Sequence, residues 1–168
     1  KMISMCEFRE ATENDFAGIC NLIKSKEELF LVYPSGEYPF TVAQFRKLAQ
    51  VKTEPTVAVD GNKIIGFANL YGCKPSQFAF IGNVIIEESH RGRGLGKAII
   101  SYMLTKAYDK YNLPEVRISV FSENTKALLL YSKLGFVPYQ IEERINPQGN
   151  RVALIHLKRV RAKFLAKE

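Results

Sequence analysis

The sequence predicts a mixed α/β (α+β) domain in which a mostly antiparallel sheet, flanked by helices, carries one parallel strand pair. Three observations predict it. Residues 56–59 and 63–70 are apolar runs joined by Asp60-Gly61-Asn62, the pattern of a tight β-hairpin. Residues 78–86, 97–110 and 116–121 read as strand, helix and strand, with the length of a right-handed parallel crossover. Residues 136–145 and 152–157 read as two more strands around Asn146-Pro147-Gln148-Gly149-Asn150, residue types that favour a turn. A doubly wound sheet would need more strand–helix alternation than this.

The elements follow in order. Residues 8–11 form a short edge strand. Thr12-Glu13-Asn14-Asp15 resembles a capping box, and Phe16, Ile19, Cys20 and Ile23 follow at helical spacing, so a helix is expected over residues 13–26. Residues 29–40 are aromatic and interrupted by Pro34, Gly36 and Pro39, too irregular for one element. Thr41 and Gln44 cap a second helix with Phe45, Leu48 and Ala49 on its apolar face. Residues 71–77 contain Gly72 and Pro75 and read as a loop. Gly82 inside the next strand signals a bulge or a close backbone approach. The helix at 97–110 buries Ile99, Ile100, Met103, Leu104 and Ala107. Ser122-Glu123-Asn124-Thr125 caps a last helix carrying Ala127, Leu128, Leu130 and Tyr131, and Gly135 stops it.

Composition limits the function classes. The chain has 168 residues, 46% hydrophobic and 24% charged, which fits one domain over residues 1–168. A net charge of +7 favours anionic ligands without choosing among them. Part of the excess, Lys158, Arg159, Arg161, Lys163 and Lys167, reads as a solvated tail. The remainder is scattered, unlike the basic face with interleaved aromatics of a nucleic-acid binder. Three cysteines, odd in number and far apart, suggest a reducing compartment, and two histidines make a histidine-based metal site improbable. No apolar run approaches a membrane span and no leader peptide is visible, so a cytoplasmic protein without a membrane partner is expected.

The chemistry concentrates in Arg91-Gly92-Arg93-Gly94-Leu95-Gly96-Lys97, where a strand gives way to a helix. Amides at a helix start are unpaired, the helix dipole adds positive potential, and glycines let a bulky anion approach. A nucleotide-hydrolysing P-loop is disfavoured because Lys97 is followed by Ala98, not Ser or Thr. A dinucleotide site is disfavoured because Gly92, Gly94 and Gly96 have the wrong spacing and the following strand ends at Phe121, not at an acidic residue. A glycine-rich connection without a ligand is the remaining plain reading.

Arg91-x-x-Gly94-x-Gly96 resembles the (Gln/Arg)-x-x-Gly-x-(Gly/Ala) acyl-CoA signature of the GNAT N-acetyltransferase superfamily. A second match, Asn124-x-x-Ala127-x-x-Leu130-Tyr131-x-x-x-Gly135-Phe136, lies downstream at the expected distance. Together they span about residues 83–138, within an acyl-CoA-binding core of about 78–138. The resemblance implies the GNAT fold, acetyl-CoA as cosubstrate and no metal. It implies transfer of the acetyl group to a primary amine of a small molecule or peptide by direct attack in a ternary complex. A silent acyl-CoA-binding regulatory module is the alternative. Either a monomer or a homodimer is compatible.

The resemblance also implies roles. Amides from Arg91 to Lys97, Leu95 included, would hold the CoA pyrophosphate. The backbone around Asn83, Val84, Ile85 and Ile86 would pair with the pantetheine arm, and the Ile86 N–H would polarise the thioester. The strand after the helix would splay from its parallel neighbour. Tyr131 would protonate the leaving thiolate, and a phenol of pKa about 10 is available for that near neutrality. Asn124 either contacts the cofactor or only caps its helix. Ser119, polar within an apolar strand, either faces the gap or bonds within its own sheet. For the general base, Glu87 and Glu88 are candidates that could equally be surface carboxylates, and His156 is a weaker one. The acceptor side is expected in residues 29–40 of the substrate-shaping segment about 27–50 and in residues 140–151 of the closing hairpin about 136–158. There Tyr33, Tyr38 and Phe40 would wall a slot, or pack on the core, and Glu28 or Glu37 would attract a cationic amine.

Overall fold

The computed structural model describes residues 6–162. Its seven strands are β1 (Cys6–Glu10), β2 (Thr53–Asp60), β3 (Lys63–Lys74), β4 (Phe78–Ile86), β5 (Glu115–Phe121), β6 (Val137–Ile145) and β7 (Arg151–Val160). They form one sheet in the order β1-β2-β3-β4-β5-β7-β6. Every pairing is antiparallel except β4 with β5. The helices are α1 (Phe16–Cys20), α2 (Lys26–Val32), α3 (Val42–Ala49), α4 (Leu95–Thr105) and α5 (Thr125–Lys133). The mixed architecture with one parallel pair is as expected. No helix among the described residues is long and apolar enough to cross a membrane.

Alternation along the central strands builds two cores. Val57, Val59, Phe67 and Ile85 face α1 to α3 and join Ile19, Leu29 and Phe45. Ala58, Ala68, Leu70 and Ile81 face the other way, onto Ile99, Ile100 and Met103 of α4 and Tyr131 of α5.

Four expectations are corrected. The helix expected over residues 13–26 is a 3-10 turn, Glu13–Asp15, then α1, which ends at Cys20. A separate helix, α2, starts because the Ser25 hydroxyl accepts the Glu28 amide at 3.1 Å, so Lys26–Val32, partly within the stretch read as irregular, is helical. The loop at 71–77 is shorter, because β3 runs on to Lys74 and pairs with Phe78. The basic tail is partly structured. Lys158 and Arg159 belong to β7, and Arg161 donates to the Tyr108 carbonyl at 2.8 Å and to Asp109 at 2.7 Å. Lys163 and Lys167 lie outside the described residues. In addition, α4 begins two residues before the expected helix and closes in a π-helical turn, Lys106–Lys110.

The parallel pair is short. β4 and β5 are joined only from Phe78 to Ile81 and from Glu115 to Ile118, although both continue. The strands part where β4 bulges: its register with β3 shifts between Ile85 and Gly82, and Asn83 has a left-handed φ of 51°. Gly82 is required beside it, since a Cβ there would lie 2.3 Å from the Tyr71 ring. The bulge turns the Asn83 side chain to donate to the Val32 carbonyl at 2.7 Å, which satisfies one open carbonyl at the end of α2.

Candidate active site

Two cavities meet where β4 and β5 part. The first, about 570 Å³, is walled by α2, β4, the start of α4 and α5. Gly92, Gly94, Gly96, Arg91 and Lys97 line it, as do Val84, Ile85, Ile86, Asn124 and Tyr131. Gly94 holds a left-handed φ of 84° as the N-cap of α4, and the first helical hydrogen bond runs from the Ala98 amide to the Gly94 carbonyl. The amides of Leu95, Gly96 and Lys97 therefore precede the ladder and remain free for an anion. Gly96 also admits α5, since a Cβ would sit 3.3 Å from Leu130. This donor set fits a pyrophosphate.

The strand opposite supplies backbone groups of known direction. The Glu87 amide donates to the Ile65 carbonyl at 2.8 Å, and Phe67 pairs with Ile85. Antiparallel alternation then turns the Ile85 amide and carbonyl toward β3, and those of Ile86 away from it. The Ile86 carbonyl accepts from Arg91 Nε at 3.1 Å. Arg91 Nη2 stands 3.5 Å from Glu28, which also lines this first cavity. Leu95 is buried in the core, and Arg93 is exposed and does not line the cavity. Asn124 caps α5 by accepting the Ala127 amide at 3.4 Å.

The second cavity, about 400 Å³, shares Leu31, Val32, Val84, Asn124 and Tyr131 with the first. Tyr131 is 6% exposed, and burial holds its phenol pKa above the usual tyrosine value, so it stays protonated. Across the cavity Ser119 faces its cross-strand partner His156, with Ser119 Oγ 2.6 Å from His156 Nδ1. His156 Nε2 lies 3.2 Å from Glu142 Oε1. Desolvation would raise the Glu142 pKa, but hydrogen bonds from Arg144 and His156 outweigh it and leave the carboxyl below its usual value. An ionised carboxylate only accepts, so Nε2 carries the hydrogen and Nδ1 accepts from the Ser119 hydroxyl.

Other candidates lie elsewhere. Glu87 is engaged by Ser89, His90 and Lys63, and hydrogen bonds from Ser89 and His90 hold its pKa at about 2. It faces neither cavity, and neither does Glu88. Of the aromatic candidates, only Tyr33 lines the second cavity. Phe40 packs in the core against Tyr33 and Phe45. Tyr38 and Glu37 border a separate surface depression, and the Tyr38 hydroxyl donates to the Lys24 carbonyl at 3.0 Å. Asn83 lines the second cavity with its amide tied to Val32.

Sequence reading missed Lys52, Tyr71, Glu142 and Arg144, all in or beside the second cavity. Glu142 and Arg144 are two apart on one strand and share a face, which is a readable signal. Tyr71 was hidden by the loop reading of its segment. Among the described residues no group of three or more His, Cys, Asp or Glu side chains could hold a metal ion.

Known proteins resemble this chain. The sequence model of the Acetyltransferase (GNAT) family matches residues 17–136. The spermine/spermidine N(1)-acetyltransferase of Bacillus subtilis is 26% identical over 101 residues, 56% of this chain and 64% of that protein, so the match spans under two thirds of that relative. The thialysine N-epsilon-acetyltransferase of Sus scrofa is 26% identical over 143 residues, 76% of this chain and 81% of that protein. In fold, the chain is similar to the spermidine N-acetyltransferase of Vibrio cholerae solved with CoA and spermine, with a TM-score of 0.80 at 23% identity over 96% of this chain and 99% of that one.

Proposed function

Since the chain belongs to the GNAT acetyltransferase family, we propose that it transfers the acetyl group of acetyl-CoA to a primary amine by direct attack within a ternary complex. The observation that carries this reading is the parting of β4 from β5, which joins an anion cradle to a second cavity at Val84, Asn124 and Tyr131. The named acceptors of the relatives, spermine, spermidine and thialysine, support an amine here. Three free cysteines are in keeping with a reducing cytoplasm.

Acetyl-CoA supplies an acyl carbon activated by a thiolate leaving group. The amides of Leu95, Gly96 and Lys97 hold the pyrophosphate, and Arg91 and Lys97 add charge-assisted bonds. The Ile86 N–H, turned away from β3, stabilises the developing oxyanion. On the acceptor side the Ser119 oxygen takes a proton from the amine as its hydroxyl passes one to His156 Nδ1, and Glu142 steadies the resulting imidazolium. The Tyr131 hydroxyl protonates the departing thiolate.

Thiol release from acetyl-CoA across a panel of amines tests the reaction. Release with at least one amine is expected, whereas tight CoA binding without any amine-dependent release would make the chain a silent binding module. Tyr131→Phe is expected to lower kcat ~100-fold, as loss of a general acid does, with CoA affinity nearly unchanged. An unchanged kcat would remove Tyr131 from the role.

A further inference from the structure

The second cavity holds more positive charge than the transfer step uses. Lys52 and Arg144 line it, and among the described residues no aspartate or glutamate does. Arg144 and His156 share the Glu142 carboxylate, which stands outside the lining. Lys52 has no carboxylate within ion-pair distance among the described residues. Its Nζ rests 4.0 Å from the centroid of the Tyr71 ring and its side chain is half-buried. Burial pulls its pKa below the usual lysine value. A cation short of both water and counter-ion is costly unless a ligand brings the opposite charge. An acceptor that is cationic at its far end would meet the uncompensated Lys52 in a cleft that strengthens repulsion.

We infer that the acceptor is a small primary amine carrying an anionic group, a carboxylate or a phosphate, with Lys52 as the counter-ion of that group. The inference rests on the acetyl-transfer reading and names the acceptor class of the same site. The lining shared by both cavities, Leu31, Val32, Val84, Asn124 and Tyr131, marks the end where the reacting nitrogen sits. Lys52 and Tyr71 line only the second cavity, so the anion and the amine of one molecule have separate stations. Tyr71 supports the lysine from below with its ring face.

Matched acceptors that differ by one anionic group provide the test: lysine against cadaverine, and phosphoethanolamine against ethanolamine, with spermidine as a polycation. Acetyl-CoA-dependent thiol release should give kcat/KM at least about tenfold higher for the anionic member of one pair, and which pair responds separates carboxylate from phosphate. Lys52→Met should collapse that preference through KM more than kcat, and Lys52→Arg should retain it. Spermidine as the best acceptor, or no preference within either pair, would overturn the inference while leaving acetyl transfer intact. If no amine releases thiol, calorimetry of the same pairs on the CoA-loaded protein decides separately. Tighter binding of the anionic member that is lost in Lys52→Met would keep the anion site and overturn acetyl transfer, and equal or absent binding would overturn the anion site too.

Discussion

Asp15 accepts two Arg9 N–H groups at 2.7 and 2.9 Å and the Thr12 amide at 2.8 Å. These bonds, led by Arg9 and outweighing burial, hold its pKa at about 2. A carboxyl depressed in this way stabilises the fold fully above its unfolded pKa of about 3.9, and the contribution is lost as pH falls through about 2. Asp15→Asn should therefore cost about 1–3 kcal/mol at neutral pH and almost nothing in strong acid. Thermal melts of both proteins across that range check it, and a gap that persists undiminished into strong acid would rule out the Arg9–Asp15 pair as its source. Single residues were unevenly legible in the sequence. Ser119 was visible as a polar residue in an apolar strand, and the Thr12 to Asp15 box was visible from its spacing. The bond from Ser119 to His156 was not, because it depends on β7 inserting between β5 and β6. Strand order is a long-range choice that local periodicity does not encode.

Elements with strong local signals formed as read, and the turn between β2 and β3, β4 and the cap of α5 are examples. The α1–α2 region differed because apolar spacing ran on past Cys20, while Ser25 and Glu28 imposed a second start. Helical spacing reports which face is buried, and capping chemistry reports where a helix begins. The start of α4 combines both with a backbone demand at Gly94, whose φ of 84° disfavours any Cβ. Gly94→Ala should cost about 1–2 kcal/mol of stability. It should also weaken CoA binding, because the turn that aims the Leu95, Gly96 and Lys97 amides must shift. Calorimetric CoA titration beside a melting curve separates the two effects, and wild-type affinity in a destabilised variant would mean that the amides do not hold the anion.

The two cores share β2, β3 and β4, so neither face of the sheet can be lost alone. Phe67, fully buried against Phe45, is a sensitive point. Phe67→Ala should cost about 3–5 kcal/mol. Urea unfolding followed by far-UV circular dichroism and by tyrosine fluorescence should still show one coincident transition, and separated transitions would mean that the two faces unfold independently. The same sharing explains why the sheet yields where it does. With α1 to α3 on one side and α4 and α5 on the other, the only relief is sideways, between β4 and β5 beyond Ile81 and Ile118. An exposed sheet edge usually invites aggregation with any passing chain. Here two unpaired edges face each other inside the molecule, shielded by helices at both openings. On the proposed reading, a slender ligand with amide groups along its length enters there as a substitute strand. The protein thus keeps a sticky surface without the hazard that such surfaces carry outside.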